Sequence, residues 1–417
     1  MCSRCLQSTG MYCNGAYCQA KLGVCLMNPP KVLFFVEGFT DIRFVIGLSR
    51  ISSLTMAVPA AAYVASGLKD RVQAANVQVN VEEIPGGRLR FQAASLLYLL
   101  KHAREFDVLL CQEVLRGALN GTLVGKLTNT PVITYMGVAP VEYFRCRRER
   151  KQIGPLRAWG GETVIRFLMT FNGRLATRCL AMGPYLRDVA AQYCPRSEVG
   201  LYYGVDTQVF CPANEQERVA LRKKRNLPLD KFIVFLSSRI SHEKDPETVL
   251  RATALARQKG LDAVVINLGG GYQDFIKLAH ELGLQKPDEW VLGRPPAHPM
   301  TEVADYFRSA DVMALASLAE GAAYSTLEAL SCGTPVVCTA VGGMQVQLQG
   351  YARLTPRRDA DAMCEEFLWV AAHAAEARAQ AMRGRQYVVE QWDSKKAFSD
   401  LAAVFEQVSR NGRTASQ

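Results

Sequence analysis

Residues 319–343 read AEGAAYSTLEALSCGTPVVCTAVGG, with seven small, hydroxyl or apolar residues between Glu320 and Glu328. One apolar run, Val312 to Ala316, comes just before this stretch, and a second, Pro335 to Thr339, closes it. Short apolar runs bounded by turn signals read as buried strands. Tyr324 to Ser331 reads as the helix between them, so the segment is strand, loop, helix, strand, the unit of a parallel sheet. Glu320 then precedes a helix, and Glu328 sits about a turn inside it. A helix N-terminus offers unbonded N–H groups and the positive end of a dipole, which suit a phosphate or sugar hydroxyls. Gly321, Ala322 and Ala323 let a ligand come close to the backbone. Carboxylates accept hydrogen bonds from vicinal hydroxyls, so one acid suits a sugar and the other a ribose. Solvated helix surfaces carry the same pairs of acids, and the rest of the chain has to decide.

Working outward, the same unit recurs. Val32 to Val36, closed by Gly38, is a buried strand, and Asp107 to Cys111, Pro131 to Tyr135 and Cys179 to Met182 follow the pattern. Helical segments lie between and after them at Arg90 to Glu105, Gly117 to Leu127 and Tyr185 to Tyr193. After a break at Phe210-Cys-Pro-Ala the pattern restarts with strands at Phe232 to Ser237, Ala263 to Leu268 and Trp290 to Leu292. Helices are expected at Asp245 to Gln258, from Gly271 to Leu282 and at Thr301 to Ala310, and from Asp359 the chain turns helical, ending in Lys395 to Val408. A length of 417 residues exceeds one ordinary core. The expected fold is α/β, with two Rossmann-like doubly wound domains facing each other across a cleft. The expected boundaries are a Cys-rich tail over 1–26, an N-terminal acceptor-side domain over 27–208, a C-terminal ligand-binding domain over 209–385, and a final helix and tail over 386–417 that packs back on the N-terminal domain.

The net charge of +10 is one-sided. Residues 1–205 hold 24 Lys and Arg against 13 Asp and Glu, and residues 206–417 hold 25 against 26. A basic N-terminal half suits an anionic partner, such as a membrane surface, a diphosphate or a nucleic acid, and equally a solvated face. No recognisable nucleic-acid module accompanies the charge, so nucleic acid is not expected. The longest uncharged run, Ile51 to Leu68, contains Pro59 and is too short to span a bilayer. Five of the 13 cysteines crowd into residues 1–25. Cys2 and Cys5 form one C-x-x-C, half of a zinc site, but the later spacings are irregular and no histidine is near. Residues 1–26 are expected to be a disordered tail or translated upstream sequence, with Met27 a natural start. Scattered cysteines such as Cys111, Cys332 and Cys338 read as small core residues of a reduced protein.

A second candidate segment is Ser237-Ser-Arg-Ile-Ser-His-Glu-Lys-Asp-Pro-Glu. Arg239 and Lys244 fall in the loop after a strand, at the carboxyl edge of a sheet, where two cations suit an anionic group. Gly269-Gly-Gly lacks the spaced third glycine and following acid of a dinucleotide fingerprint and reads as a turn. Asp359-Ala-Asp361 spells a metal-binding D-x-D, but it opens a helix, and capping is the better reading. His102, His242, His280, His298 and His373 are not paired at ligand spacing, so no metal is expected.

Taken together, these segments resemble the group 1 (family 4) glycosyltransferases of GT-B fold. Tyr203-Gly-Val-Asp-Thr-Gln-Val-Phe-Cys-Pro resembles that family's Asn-Gly-Val-Asp-x3-Phe-x-Pro hinge, with Tyr203 for Asn. Ser238-Arg239-Ile240 through Glu243-Lys244 resembles its Gly-Arg-Leu…Glu-Lys loop, and Glu320-x7-Glu328 with Gly-Thr-Pro-Val-Val and Val341-Gly-Gly resembles its signature. The resemblance implies a retaining, metal-independent transferase acting from a UDP- or GDP-sugar onto a glycan, lipid-linked or small-molecule acceptor. It implies that Arg239 and Lys244 bind the diphosphate and that Glu328 holds the ribose. Glu320, with the Gly321 and Ala322 amides, would face the sugar, and Gly38, Ser238, Gly293, Ala323, Tyr324, Ser325 and Thr326 would complete the donor site. Tyr135-Met-Gly-Val lacks the family's histidine, and Met344-Gln-Val-Gln lacks its later Glu, which leaves acceptor chemistry open. An epimerase of the same fold and a non-catalytic nucleotide-sugar-binding partner are the alternatives.

The cluster Arg145, Arg147, Arg148, Arg150 and Lys151, with Arg157 beyond, is followed by Trp159 and the apolar Val164 to Phe171. Basic residues beside an amphipathic segment suit anionic headgroups or an acceptor. A cytoplasmic protein, peripheral at the inner face of the membrane, is the expectation.

Overall fold

Strands buried on both faces need no alternation of apolar and polar residues, and the central strands here show none. Val-Leu-Leu-Cys at 108–111, Ala-Val-Val-Ile-Asn-Leu at 263–268 and Val-Met-Ala-Leu at 312–315 are buried throughout. The structure, a computed structural model, describes residues 17–18, 25–26, 29–38, 40–151, 154–296 and 300–414. The tail expected over 1–26 lies outside the described residues except for Tyr17–Cys18 and Cys25–Leu26, which pair as an antiparallel two-residue ladder. The remaining chain packs as two units.

The first unit comprises Met1–Tyr135, Asn172–Arg178 and Phe398–Gln417. Its elements include β1 (Lys31–Phe35), α1 (Ile42–Ile51), β2 (Ser53–Pro59), β3 (Asn80–Ile84), α2 (Arg88–His102), β4 (Val108–Cys111), α3 (Arg116–Thr128) and β5 (Val132–Met136). In a seven-stranded sheet these five strands run in the order β3-β2-β1-β4-β5, each of these neighbours parallel. Asp41 caps α1 by accepting from the Arg43 amide at 2.9 Å. On the same helix, Phe44 meets Phe34 edge-on at 5.3 Å and stacks on Phe398 at 6.3 Å. Aromatic packing therefore ties the last helix of the chain to the first.

The second unit comprises Met136–Phe171 and Cys179–Ala397. It opens with α4 (Pro140–Lys151), α5 (Pro155–Leu175), β6 (Arg178–Ala181), α6 (Pro184–Ala191), β7 (Ser197–Val199) and α7 (Glu215–Lys224). Next come β8 (Phe232–Leu236), α8 (Pro246–Gln258), β9 (Ala263–Leu268), α9 (Tyr272–Glu281), β10 (Val291–Arg294), α10 (Met300–Ser309) and β11 (Val312–Leu315). The unit continues through α11 (Tyr324–Ser331), β12 (Val336–Thr339), α12 (Gly342–Gln347), β13 (Arg353–Thr355), α13 (Ala360–Ala372) and α14 (Ala374–Gln391), and α15 (Ser394–Thr414) ends the chain. The parallel order is β10-β9-β8-β11-β12-β13. Residues 136–171 and 179–208 thus group with the C-terminal half, and 398–417 with the N-terminal half.

Asp359 accepts from the Ala362 amide at 2.8 Å and so caps α13, which is the helix-opening role read from D-x-D. The eight cysteines from Cys111 onward are free thiols, and burial pushes Cys111 up to about 12. The hinge-like Tyr203-Gly-Val-Asp is clamped to 392–394: Val205 N–H donates to the Trp392 carbonyl at 2.7 Å, and Ser394 N–H to the Val205 carbonyl at 2.9 Å. Gly204 has φ +65°, and a Cβ there would lie 2.7 Å from Ser394 Cα and 2.8 Å from the Trp392 carbonyl oxygen. Gly204→Ala is expected to lower the melting temperature by several degrees, since a strained left-handed residue costs about 1–3 kcal/mol. Gly38→Ala, with open space around its Cβ position, should leave melting unchanged in the same scan.

Candidate donor-binding site

In a doubly wound sheet, ligands bind beyond the carboxyl ends of the two strands where the order reverses. In the second unit those strands are β8 and β11, since β9 lies on one side of β8 and β11 on the other. The loop after β8 carries Ser238, Arg239, Glu243 and Lys244; the loop after β11 carries Ser317, Glu320, Gly321 and Ala322. The Leu318 amide donates to the Glu243 carbonyl at 2.9 Å, so the backbones of the two loops are joined. Asn267 on β9 donates to the carbonyls of Leu236 at 3.1 Å and Ser238 at 2.8 Å, which fixes the exit of the first loop.

Both expected cations are held by carboxylates of the site itself. Lys244 pairs with Glu320, whose carboxylate also accepts from the Ser317 hydroxyl at 2.9 Å. Arg239 pairs with Glu243, and its guanidinium also donates to the Tyr143 hydroxyl at 3.0 Å. The Tyr143 hydroxyl in turn donates to Glu243 at 2.8 Å, closing a three-membered network. Burial raises the Glu243 carboxyl, but its own backbone amide, the Tyr143 hydroxyl and Arg239 outweigh this and hold it down at about 2. Burial and Glu243 raise the Tyr143 phenol, so it stays protonated and donates.

Glu320 and Glu328 occupy the places expected of them: one before α11, the other within it and 6% exposed. No side chain caps α11 at Ala323, and the Thr326 amide donates to the Ala323 carbonyl at 2.9 Å. The loop beside them is confined by backbone. The Gly343 amide donates to the Glu320 carbonyl at 3.0 Å, and a Cβ at Gly343 would lie 1.8 Å from the Gly321 carbonyl oxygen. Ser238 Oγ and Ser241 Oγ are buried without a partner, polar atoms that a bound ligand can satisfy. Gly293, within β10, lies against the backbone of Tyr272. Gly38 belongs to the first unit, whose own switch point lies between β1 and β4. There Glu37 accepts from Gln92 at 3.1 Å and Arg116 at 2.8 Å.

Within the basic cluster, Arg145 is paired with Glu162 at 2.6 Å, and Arg147 lies 4.9 Å over the Tyr143 ring. The side chains of Arg150 and Lys151 lie outside the described residues. Tyr143 and Glu243 escaped sequence reasoning. Glu243 is one residue of a charged loop whose pattern does not show which cation it holds, and Tyr143 is 96 residues from Arg239.

The α/β fold with two parallel sheets is the GT-B fold. It is shared with sucrose-phosphate synthase from Thermosynechococcus elongatus, at TM-score 0.73 and 16% identity, covering 91% of this chain and 99% of that one. A structure of HepE from Anabaena in complex with UDP-glucose matches at TM-score 0.71 and 16% identity, over 91% of this chain and 100% of that one. Residues 217–386, which carry both loops of the candidate site, match the family described as Glycosyl transferases group 1. The D-inositol 3-phosphate glycosyltransferase of Arthrobacter sp. (strain FB24) is 38% identical over 145 residues, 34% of this chain and 33% of that relative. The match therefore spans about a third of the length of the curated relatives.

Two outcomes test this geometry. Gly343→Ala is expected to abolish nucleotide-sugar binding, measured by calorimetry, while the circular dichroism spectrum is kept, because its Cβ displaces the Gly321 carbonyl. Glu243 is held at about 2, against an ordinary value of 4.5. Its contribution to stability is therefore full above pH 4.5 and lost as pH falls through 2. Acid denaturation of Glu243→Gln should accordingly show a shallower loss of stability than the unsubstituted protein over that window.

Proposed function

We propose that this protein is a retaining glycosyltransferase that moves a sugar from a UDP- or GDP-sugar to a hydroxyl acceptor. The observation that carries the reading is that Arg239 and Lys244 lie on the loop after β8, with Lys244 paired to Glu320 of the loop after β11, within the group 1 segment. Cleaving the donor leaves negative charge on a diphosphate, and fixed cations lower that barrier because they are oriented before charge develops. Arg239 and Lys244 supply those cations, together with the N-terminus of α11. Glu328 holds the ribose hydroxyls, and Glu320, released from Lys244 by the diphosphate, accepts from the donor sugar. Because the chain provides its own counter-charges, we propose turnover without a metal.

The acceptor is proposed to be anionic. Residues 1–205 carry the whole positive excess, and the relative named above is a D-inositol 3-phosphate glycosyltransferase. No helix among the described residues is long and apolar enough to cross a membrane. A peripheral contact has other support: Leu156, Trp159, Val164 and Phe167 on α5 are exposed, Trp159 by 69%, near the cations Arg147, Arg148 and Arg157. An apolar stripe flanked by basic residues inserts at the headgroup level of anionic bilayers. We place the protein at the cytoplasmic face of a membrane on that ground.

Arg239→Ala and Lys244→Ala should each lower kcat for donor cleavage about 100- to 1,000-fold, measured as nucleoside diphosphate release with UDP- and GDP-sugars in EDTA. Unchanged turnover in both variants, or no activity until a divalent ion is added, would reject the assignment. Vesicle sedimentation with and without anionic lipid should show binding to anionic vesicles that falls at least several-fold in Trp159→Ala/Phe167→Ala. Equal binding by this variant would remove the membrane contact.

A further inference from the structure

We propose that Tyr143 is a positioning residue for Arg239: its hydroxyl holds the Glu243 carboxylate so that the guanidinium can leave it for an incoming diphosphate. The identity of that anion rests on the glycosyltransferase reading; the role of Tyr143 rests on the geometry alone. Glu243 is only 8% exposed, so water cannot solvate its carboxylate freely. Its stabilising partners are its own amide, the Tyr143 hydroxyl at 2.8 Å and Arg239. Lys244, the other cation of the loop, is engaged by Glu320. A diphosphate that captures Arg239 therefore withdraws the guanidinium from a buried carboxylate, which is costly unless another donor remains. Tyr143 is that donor.

The surroundings keep the phenol in place for this role. Cys146, one turn along α4, packs against Leu318 and Ala319 of the loop after β11, and Tyr143 packs against the same cluster. Glu149 pairs with Arg358 at 2.9 Å, Glu142 bonds the Tyr185 hydroxyl, and the Arg147 guanidinium covers the Tyr143 ring. Helix α4 is thus docked at several points along its length, and the Tyr143 hydroxyl reaches Glu243 from a rigid element. The substitution that removes only the hydroxyl, Tyr143→Phe, keeps the ring and its packing.

The test is a cycle of Tyr143→Phe, Glu243→Gln and the double variant in the full chain, with calorimetric Kd values for UDP and GDP and steady-state constants for the donor. Tyr143→Phe should weaken nucleoside diphosphate binding and raise the donor KM about 10- to 100-fold, the worth of a hydrogen bond to a charged group, with a smaller change in kcat. Adding Glu243→Gln should restore binding to the level of Glu243→Gln alone, because no carboxylate remains to retain Arg239. Unchanged binding in Tyr143→Phe, or a double variant as weak as Tyr143→Phe, overturns the proposal. A second readout does not depend on any ligand. The carbon-13 carboxyl signal of Glu243, assigned by its loss in Glu243→Gln, should titrate at a higher pH in Tyr143→Phe. An unmoved titration overturns the role of Tyr143, whereas failure of the unsubstituted protein to bind any nucleoside diphosphate overturns the glycosyltransferase reading alone.

Discussion

A cation kept ready for an anionic ligand, in a partly dry site, needs a counter-charge until the ligand arrives. That constraint organises the second unit. Arg239 and Lys244 each rest on a carboxylate, Glu243 and Glu320, carried by the two loops at the point where strand order reverses. Left without partners there, the two nearly buried carboxylates would be paid for in desolvation. Paired, they form a preorganised arrangement in which a diphosphate replaces carboxylates rather than water. Exchanging one buried anion for another leaves the number of desolvated charges nearly constant, so ligand affinity depends on how firmly each carboxylate is held elsewhere. Ser317 serves Glu320 in this way, and Tyr143 serves Glu243.

The backbone around these charges is as constrained as the charges themselves. Gly321, Gly342 and Gly343 pack main chain against main chain, so the loop carrying Glu320 has no latitude to move toward or away from Lys244. Leu318 N–H bonding to the Glu243 carbonyl gives the two loops one common frame. Helix α4 then adds side chains to that frame from a part of the chain far earlier in sequence. The basic surface and the donor loops are therefore mechanically continuous through Tyr143, with Arg147 on one side of its ring and Glu243 at its hydroxyl.

Much of this was legible in the residues. Continuous apolar runs gave nine of the strands to within a residue or two, because burial on both faces leaves no room for polar alternation, while β2, β3, β7 and β13 were not among them. Arg239, Lys244, Glu320 and Glu328 stood out because each lies at a strand end or helix start, where local geometry already fixes which edge of the sheet it reaches. Asp359 was likewise decided by a local bond, to the Ala362 amide. The basic cluster was less transparent. Its composition pointed to an anionic surface, but Arg145 is taken up by Glu162, a pairing between two helices that no local pattern records. The exposure of Trp159 and Phe167 was also hidden, since an apolar helical face reads the same whether another element covers it or not.

Local chemistry therefore decided the strands, the helices, the caps and the two candidate loops, since neighbours in sequence dominate those choices. Tertiary packing alone decided which carboxylate holds which cation, that residues 136–171 group with the C-terminal half, and that Tyr143 meets Arg239 and Glu243. Those contacts join segments about 100 residues apart. Their existence depends on burial and charge balance in the folded chain, which a linear pattern of residue types does not encode.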